Sequence, residues 1–298
     1  MKLPTVKQLR YLIELEKHGH FGKAAEACFV SQSAFSVAIR ELESTLGTQL
    51  FDRTNKRVTI TAMGQEIVVQ ARLVIRDLEA LMDMAQVSSE PLSGKLRLGV
   101  IPTISPFLLP KILPQLRSHF PQLQLFLQED TTQRVYERLM SGELDLILIA
   151  FPYELRNVEK MKLFNDQFLL AYKADSQFID TQKVTVDRLQ AESILLLEDG
   201  HCLRDHALSA CKIRNLNKVS HFAASSLLTL IEMVEADLGV TYLPEMAKDS
   251  PMLKNTNIKT QAMPKSSHRE IGLIWRKGSA RGEEFKMLGE FIKKNKKK

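Results

Sequence analysis

Apolar positions in the first part of the chain recur at the three- and four-residue spacing of helices. One helix is predicted over residues 5–18 and ends at Gly19, an alanine-rich helix follows over 21–28, and a third runs from 33 to about 46. A brief turn joins the second and third helices. Two helices joined in this way are typical of a helix-turn-helix, although a helical hairpin in an ordinary bundle fits the same pattern.

The polar residues around these helices favour DNA binding. Small polar side chains at the start of the third helix suit base edges and phosphates, and residues 52–61 predict a hairpin with a cationic tip, a wing for phosphate or the minor groove. The candidate DNA-binding residues are Gln32, Ser33, Ser36, Arg40, Arg53 and Thr54. The wing makes a DNA-binding module the better interpretation.

A single long helix is predicted from 62 to about 88. Its apolar stripe has the alternating four- and three-residue spacing of a heptad repeat, at Ile67, Ala71, Val74, Leu78, Leu81 and Ala85. Such a stripe beside a DNA module predicts pairing with a second copy, and packing on its own domain is the alternative. Residues 88–94 then predict a linker.

Beyond the linker, strands alternate with helices, which predicts an α/β region. The predicted strands lie at 96–100, 123–127, 144–151, 168–172, 194–197, 222–224, 240–243 and 271–275, with helices at 106–119, 132–141, from 202, 226–238 and 281–294. Residues 144–151 are almost wholly apolar, as in a buried parallel strand. Ligand sites in such sheets lie at the carboxyl ends of strands, near Thr103 and Thr131-Thr132 here.

Composition sets broad limits on these predictions. The 298 residues predict two or three domains, and no run approaches eighteen apolar residues, so we expect no membrane span. Three cysteines, a low and odd number, point to the reducing cytoplasm. The net charge of +6 comes largely from five lysines at 293, 294 and 296–298. DNA binding is therefore predicted from motifs, and charge merely permits it.

Two of the cysteines lie nine positions apart, at Cys202 and Cys211. Asp199-Gly200 predicts a turn, and the residues after it favour a helix with Cys202 in its first turn. We expect a lowered pKa for this thiol, because the helix amino terminus and the nearby His201, Arg204 and His206 favour the thiolate. Helical geometry separates the two Cα atoms by about 13 Å, whereas a disulfide needs less than about 7 Å. If the pair oxidises, the helix between the thiols must break.

Two other interpretations of this stretch stay open. Cysteines are often small buried hydrophobes in a core helix. A zinc site is the second alternative, since Cys202 and His206 have the i, i+4 spacing of two ligands, although no compact CxxC pair accompanies them. The possible ligands are His201, Cys202, His206, Cys211 and His221.

Several sequence motifs resemble the LysR-type transcriptional regulators over the whole chain. The matching segments are Ser31-Gln32-Ser33-Ala34-Phe35-Ser36, Ile39-Arg40-Glu41-Leu42-Glu43, Leu46-Gly47 and Leu50-Phe51-Asp52-Arg53-Thr54. Ser33 stands where the family usually has proline and Val37 where it often has arginine, so base preference does not transfer. The resemblance implies a winged helix-turn-helix over 1–62, a dimerisation helix over 63–88, a hinge at 89–94 and a regulatory domain over 95–298.

That regulatory domain is implied to be a two-lobed, periplasmic-binding-protein-like α/β fold. Lobe I would hold about 95–164 and 269–298, and lobe II about 165–268. Residues 197–205, with Cys211, and also 99–103 and 108–110, resemble the peroxide-sensing OxyR branch of the family. The resemblance makes Cys202 the peroxidatic and Cys211 the resolving cysteine, and Cys28 an ordinary core residue. It implicates Thr103, Thr132, His201, Arg204, Asp205 and Arg269 in peroxide handling or thiol activation.

The expectation is therefore a cytoplasmic, hydrogen-peroxide-sensing DNA-binding activator, switched by a Cys202–Cys211 disulfide and not an enzyme. The family implies a homo-oligomer, a dimer of dimers, that contacts double-stranded DNA and RNA polymerase and is reset by a thiol reductant, with no cofactor, metal or membrane. One alternative is a LysR-type regulator gated by a small ligand in the cleft between the lobes. The other is a thiol peroxidase, against which the helix-turn-helix argues.

Overall fold

The computed structural model of the protein describes residues 3–53, 58–85, 91–180, 189–213 and 215–296. These residues form two compact units, one mainly of residues 1–89 and one mainly of residues 90–298. The domain limits predicted from the sequence, including the hinge at 89–94, stay predictions.

The amino-terminal unit has the predicted helices followed by a short hairpin and a long helix. Its elements are α1 Val6–His18, α2 Phe21–Ala27, α3 Gln32–Leu46, β1 Phe51–Arg53, β2 Val58–Ile60 and α4 Ala62–Ala85. Thr5 and Gln8 form a reciprocal capping box at the start of α1. Gly19 and Gly47 end α1 and α3 with φ values of 58° and 69°, where a side chain would be strained.

Aromatic and aliphatic side chains fill the core of this unit. Tyr11 of α1 stacks on Phe35 of α3 with ring centroids 4.7 Å apart. Ile39 and Leu42, on the same face of α3, are completely buried. Gly64 lets α4 approach the hairpin, because a Cβ there would lie 2.3 Å from the Leu50 carbonyl oxygen. The core therefore fixes α3 and the hairpin relative to each other.

The predicted heptad stripe of α4 divides into two parts. Ala71 is 3% exposed and belongs to the core of the amino-terminal unit, which is what the alternative interpretation predicted for the whole stripe. Val74, Leu78 and Leu81 are 45%, 37% and 60% exposed. Residues 86–88, predicted to continue this helix, lie outside the described residues. Val74, Leu78 and Leu81 therefore form an exposed apolar face on α4.

The carboxy-terminal unit alternates strands and helices, as predicted. Its elements are β3 Gly94–Val100, α5 Ser105–His119, β4 Leu123–Glu129, α6 Thr132–Met140, β5 Leu146–Phe151, β6 Val158–Lys173, β7 Ile194–Leu197, α7 Cys202–Ala210, β8 Val219–Ala224, α8 Leu227–Glu235, β9 Val240–Pro244, α9 Pro251–Lys254, β10 Ile258–Ala262, β11 His268–Arg276 and α10 Gly282–Asn295. Short 3-10 turns lie at Leu216–Lys218 and Glu245–Ala247. The mixed α/β class predicted from the sequence is confirmed.

The described strands pair in the order β4-β3-β5-β11-β6-β9-β7-β8, and β10 also pairs with β6. All six residues of β5 are buried, as expected, but the strand pairs in parallel with β3 and antiparallel with β11. Strand β6 is shared by both halves of the sheet. Its residues 158–167 pair with β11, and its residues 168–173 pair with β9 and β10.

Two hydrophobic clusters cover the two halves of this sheet. The first gathers around β3, β5 and β11 with α5 and α10, and the second around β7, β9 and α8. Helix α7 contributes to both: Cys202 lies in the first cluster, whereas Leu203, Ala207 and Cys211 lie in the second. Loss of α7 would therefore expose apolar surface in both halves.

Three features of this unit were not predicted. Helix α9 and strand β10 are absent from the sequence prediction, which also recognised only residues 168–172 of the longer β6. Strand β10 is short and its residues are partly or fully exposed, so no alternation of buried residues marks it. It is a strand because it pairs with β6.

Candidate functional site

Helix α7 carries both candidate thiols, one at each end. Cys202 is its first residue, after the turn at Asp199-Gly200, and Cys211 is its carboxy-terminal cap. Both are 8% exposed and neither is in a disulfide. At about 1.5 Å of rise per residue, the nine intervening steps separate the two Cα atoms by about 13 Å. The predicted helix between the cysteines is confirmed.

The surroundings of Cys202 correct one expectation. Burial raises the pKa of the Cys202 thiol, and it outweighs the Thr132 hydroxyl, the Arg269 guanidinium and the thiol's own backbone N–H, all of which lower it. Asp205 raises the pKa further. The predicted lowering is therefore wrong in direction, because the sequence does not show how deeply the first turn of α7 is buried. Groups that stabilise a thiolate nevertheless surround the sulfur.

Arg269 organises the polar side of this site. Its Nε lies 2.9 Å from Asp166 Oδ2, and its two terminal nitrogens donate hydrogen bonds of 2.8 Å to the Thr103 hydroxyl and to the Thr103 carbonyl oxygen. Asp166 also accepts a hydrogen bond of 3.1 Å from the Met246 N–H. Arg269, Asp166 and Thr103 are 1%, 3% and 2% exposed. The guanidinium is thus fixed in place next to the thiol.

The Thr132 hydroxyl is the second polar group near the sulfur. Thr132 begins α6 and is 2% exposed. Its oxygen has no regular hydrogen-bond partner among the described residues, although it is close enough to lower the Cys202 pKa. A buried hydroxyl without a regular partner is costly unless a small polar molecule or a charged sulfur completes its bonding.

The charged residues beside Cys202 are arranged differently from the prediction. Arg204 forms an ion pair with Asp199, in the preceding turn, and is not among the groups that lower the Cys202 pKa. Asp205 is exposed, and His201 is the half-buried amino-terminal cap of α7, with no side-chain capping bond. Of the predicted site residues, Thr132 and Arg269 lower the Cys202 pKa and Asp205 raises it.

His206 does not supply the positive charge expected of it. The pKa of this histidine is lowered, mainly by burial and in smaller part by the Arg269 charge. These two effects outweigh the hydrogen bond to the Pro152 carbonyl and the Asp205 charge, which raise the pKa. The ring is therefore neutral at pH 7. Its Nε2 lies 2.8 Å from the Pro152 carbonyl oxygen.

Cys211 is a protonated thiol in an apolar setting. Burial alone raises its pKa from 9.0 to about 12, and its neighbours belong to the second hydrophobic cluster. Cys28, the cap of α2, is half-buried against the amino-terminal core, and burial raises its pKa also. In this conformation neither thiol has the polar surroundings of Cys202.

Sequence reasoning missed two residues at this site. Asp166 fixes Arg269 from a position 103 residues away, and the pairing of β6 with β11 brings the two together. Tyr153 packs on the cluster that contains Cys202, and burial followed by the Cys202 charge raises its pKa. No local motif marks either residue: Asp166 is placed by sheet register, and Tyr153 lies in the loop after β5.

The amino-terminal unit presents the predicted recognition helix. Gln32, Ser33 and Arg40 are exposed on α3, and Ser36 is half-buried. Ser31 caps this helix by accepting a hydrogen bond of 3.3 Å from the Ala34 N–H. Gln32, Ser33 and Ser36 lie in the first two turns of α3, and Arg40 lies one turn beyond Ser36.

The predicted wing lies partly outside the described residues. Strands β1 and β2 pair antiparallel, so the hairpin is confirmed. Its tip, including Thr54, is not among the described residues, and for Arg53 the description covers the backbone alone. The roles of Arg53 and Thr54 stay predictions.

The described residues contain no group of three or more His, Cys, Asp or Glu side chains that could hold a metal ion. His221, one of the possible ligands, has a 90% exposed side chain and lies 3.5 Å from Glu192. Within the same residues, no helix combines the length and apolarity needed to cross a membrane.

A helix-turn-helix module followed by a regulatory α/β unit defines a DNA-binding transcriptional regulator. Residues 6–65 match the bacterial regulatory helix-turn-helix proteins of the lysR family, and residues 89–297 match the LysR substrate binding domain. The chain therefore belongs to the LysR family of regulators, and within it to the OxyR branch.

Curated relatives span nearly the whole chain. It is 38% identical over 289 residues to the DNA-binding transcriptional dual regulator OxyR of Escherichia coli, covering 97% of this chain and 95% of that protein. It is also 38% identical over 294 residues to the HTH-type transcriptional regulator EstR of Acinetobacter baylyi, covering 98% and 97%. Among solved structures, a variant of full-length OxyR from Pseudomonas aeruginosa matches with a TM-score of 0.81 and 33% identity, over 98% of this chain and 95% of that one.

Proposed function

We propose that this protein is a hydrogen-peroxide-sensing transcriptional activator, switched by a disulfide between Cys202 and Cys211. The observation that carries the proposal is the placement of two free thiols at opposite ends of one buried helix, the first beside Arg269 and Thr132. Relatives named hydrogen peroxide-inducible genes activators, 36–38% identical over more than 90% of the chain, support the same function.

The chemistry proceeds in two steps. The Cys202 sulfur, losing its proton, attacks one peroxide oxygen; the O–O bond breaks, the second oxygen leaves as water, and Cys202 becomes a sulfenic acid. The Cys211 sulfur, losing its proton, then attacks the Cys202 sulfur, and the sulfenic hydroxyl leaves as a second water. One peroxide is reduced, two thiols are oxidised, and a disulfide forms.

The polar residues around the thiol suit the first step. Thr103, Thr132 and His201 are the proposed hydrogen-bond donors to peroxide, and Arg269 favours the negative charge that develops as the O–O bond breaks. Thr132 has a buried hydroxyl that lacks a regular partner in the described residues, which suits a small, polar substrate. Arg204, held by Asp199, and Asp205 are proposed to tune the thiol and hold the first turn of α7.

The second step converts oxidation into a change of shape. A separation of about 13 Å must fall below about 7 Å, so α7 cannot stay helical along its length. In the chain-entropy model, a bond that closes about ten residues lowers the entropy of the unfolded chain and so stabilises the folded, oxidised state by roughly 2.5–3 kcal/mol, which offsets part of the lost helix. Leu203, 2% exposed, and Leu208 leave the second cluster in this proposal.

The amino-terminal unit is proposed to bind DNA and to respond to the change in α7. Gln32, Ser33, Ser36 and Arg40 are proposed to enter the major groove, with Arg53 and Thr54 on the backbone. The exposed apolar half of α4 is proposed to pair with a second copy, and two such dimers to associate. We further propose that the protein contacts RNA polymerase and that a thiol reductant resets the disulfide. We also propose that it acts in the cytoplasm, without enzymatic turnover, cofactor or metal.

Disulfide mapping tests the proposal directly. The full chain, treated with one equivalent of peroxide, should lose two thiols and yield a Cys202–Cys211 linkage. Cys202→Ser should abolish this response, and Cys28→Ser, the matched control, should leave it intact. Retention of all three thiols, or a linkage through Cys28, would contradict the redox switch and favour ligand gating.

A further inference from the structure

His206 lies one helical turn after Cys202 and makes a contact that the proposed chemistry does not use. Its side chain is 5% exposed, and its Nε2 lies 2.8 Å from the Pro152 carbonyl oxygen. Because a carbonyl oxygen can only accept, Nε2 carries the proton and donates it. The Nδ1 atom is therefore a lone-pair nitrogen, and it is buried with no hydrogen-bond partner among the described residues.

This hydrogen bond adds a polar link between α7 and the half of the sheet that contains β5. Pro152 directly follows β5, and Cys202 of α7 packs in the first cluster with that strand, whereas Leu203 and Ala207 pack in the second. Arg204 pairs only five positions away, with Asp199, but the His206 bond reaches a residue 54 positions away. The bond therefore opposes any movement of α7 away from β5.

We propose that His206 is a positioning residue that holds α7 closed in the reduced protein, through its hydrogen bond to Pro152, and so sets the rate at which Cys211 can reach Cys202. The proposal rests on the redox switch proposed above. Formation of the sulfenic acid precedes the opening of α7 and does not require this bond to break. Closure of the disulfide does require it.

The charge state of the ring fits this role. The pKa of His206 is lowered, mainly by burial and also by Arg269, against the opposing effects of the Pro152 bond and Asp205. The neutral ring that donates through Nε2 therefore predominates at neutral pH. The other ionisable groups on this side of the site are the Cys202 thiol, Tyr153, and Asp166, which is paired with Arg269. The neutral ring needs no compensating charge among them.

The test separates the two chemical steps in the full-length chain. Sulfenic acid formation is measured in a Cys211→Ser background by trapping with dimedone, and disulfide closure is measured with both cysteines present, by acid quench and mass spectrometry. His206→Ala should close the disulfide about fivefold faster, the effect of losing one net hydrogen bond, and should form the sulfenic acid within about twofold of the parent rate. His206→Gln, whose amide can donate to the same carbonyl, should restore the parent closure rate.

His221→Ala is the matched control, because this histidine is exposed on β8 and its loss should change neither step. If His206→Ala does not fold, His206→Leu replaces it, since leucine fills the space without a donor. Parent-like closure in the donor-free variant, or equal acceleration of both steps, would overturn the proposal.

A second measurement does not depend on the disulfide. In the reduced protein, the amides of residues 203–210 should exchange about fivefold faster in His206→Ala than in the parent, and no faster in His221→Ala. Unchanged exchange would overturn the inference. Failure of the redox switch is recognised separately, by the absence of a Cys202–Cys211 linkage in the parent chain after peroxide.

Discussion

Arg269 and Asp166 form an ion pair almost out of contact with water: the Nε–Oδ2 distance is 2.9 Å, and the two residues are 1% and 3% exposed. The same guanidinium holds the hydroxyl and carbonyl of Thr103 and lowers the Cys202 pKa. A carboxylate on β6 thereby determines the position of the cation next to the thiol. The pair is both a structural and an electrostatic element of the site.

Asp166→Ala should destabilise the reduced protein by about 3–5 kcal/mol, because it leaves the Arg269 charge buried without its partner. Urea unfolding measures the effect. Glu270→Ala is the control: its pair with Lys162 joins side chains that are 40% and 53% exposed, and its loss should cost about 1 kcal/mol or less. Equal effects for the two variants would contradict the importance assigned to the buried pair.

Cys202 should be labelled by a thiol reagent faster than Cys211 and Cys28, because Thr132, Arg269 and a helix N–H stabilise its thiolate. Its pKa is nevertheless raised above 9.0, so the labelling rate should still be increasing with pH at pH 9. Mass spectrometry after short labelling pulses gives the three rates. Faster labelling of Cys211 would show that the assignment of the two thiols is reversed.

Stability should decrease at alkaline pH through Cys211. Its pKa in the folded protein is about 12 against an ordinary 9.0, so the folded state holds this proton more tightly than the unfolded state does. The free energy of unfolding that Cys211 adds through this tighter proton binding is complete below pH 9. It is lost as the pH rises from 9 towards 12, at up to about 1.4 kcal/mol per pH unit. Urea unfolding of the reduced protein from pH 8 to 10.5 should therefore show a steeper loss than in Cys211→Ala. Parallel curves would mean that the thiol is solvated.

Oxidation should remove hydrogen-exchange protection from the amides of residues 203–210. The expected cause is that α7 cannot remain intact when its two end cysteines are joined. Strands β3 and β5 are the internal control, since their residues do not have to move for the bond to form. Exchange mass spectrometry and disulfide mapping belong on the same sample. Full protection across 203–210 in a sample with a mapped disulfide would refute the mechanical argument.

DNA recognition should divide between α3 and the wing. Gln32→Ala should alter sequence preference, because this exposed side chain lies at the start of the recognition helix, whereas Arg53→Ala should weaken binding to all sequences. Fluorescence anisotropy with a set of operator variants distinguishes the two effects. Footprints of reduced and oxidised protein should differ, and identical footprints would argue against a regulatory switch.

The sequence predicted the elements that bury a regular apolar face and missed those defined by pairing. Helix α3 was expected over 33–46 and is Gln32–Leu46, because its spacing and the following glycine act locally. Strand β10 has no such pattern and becomes a strand through β6. The same holds at the site: the cysteines and both threonines stand in recognisable motifs, but Asp166 and the burial that raises the Cys202 pKa depend on contacts between distant segments.

Strand β6 also limits how this protein can be divided. A single run of sixteen residues, Val158–Lys173, supplies paired backbone to both halves of the sheet, so a cut on either side of it leaves one half without an interior strand. The two halves should therefore melt in one calorimetric transition, and separately expressed halves should be insoluble. A reporter domain inserted into the carboxy-terminal unit must consequently avoid this strand.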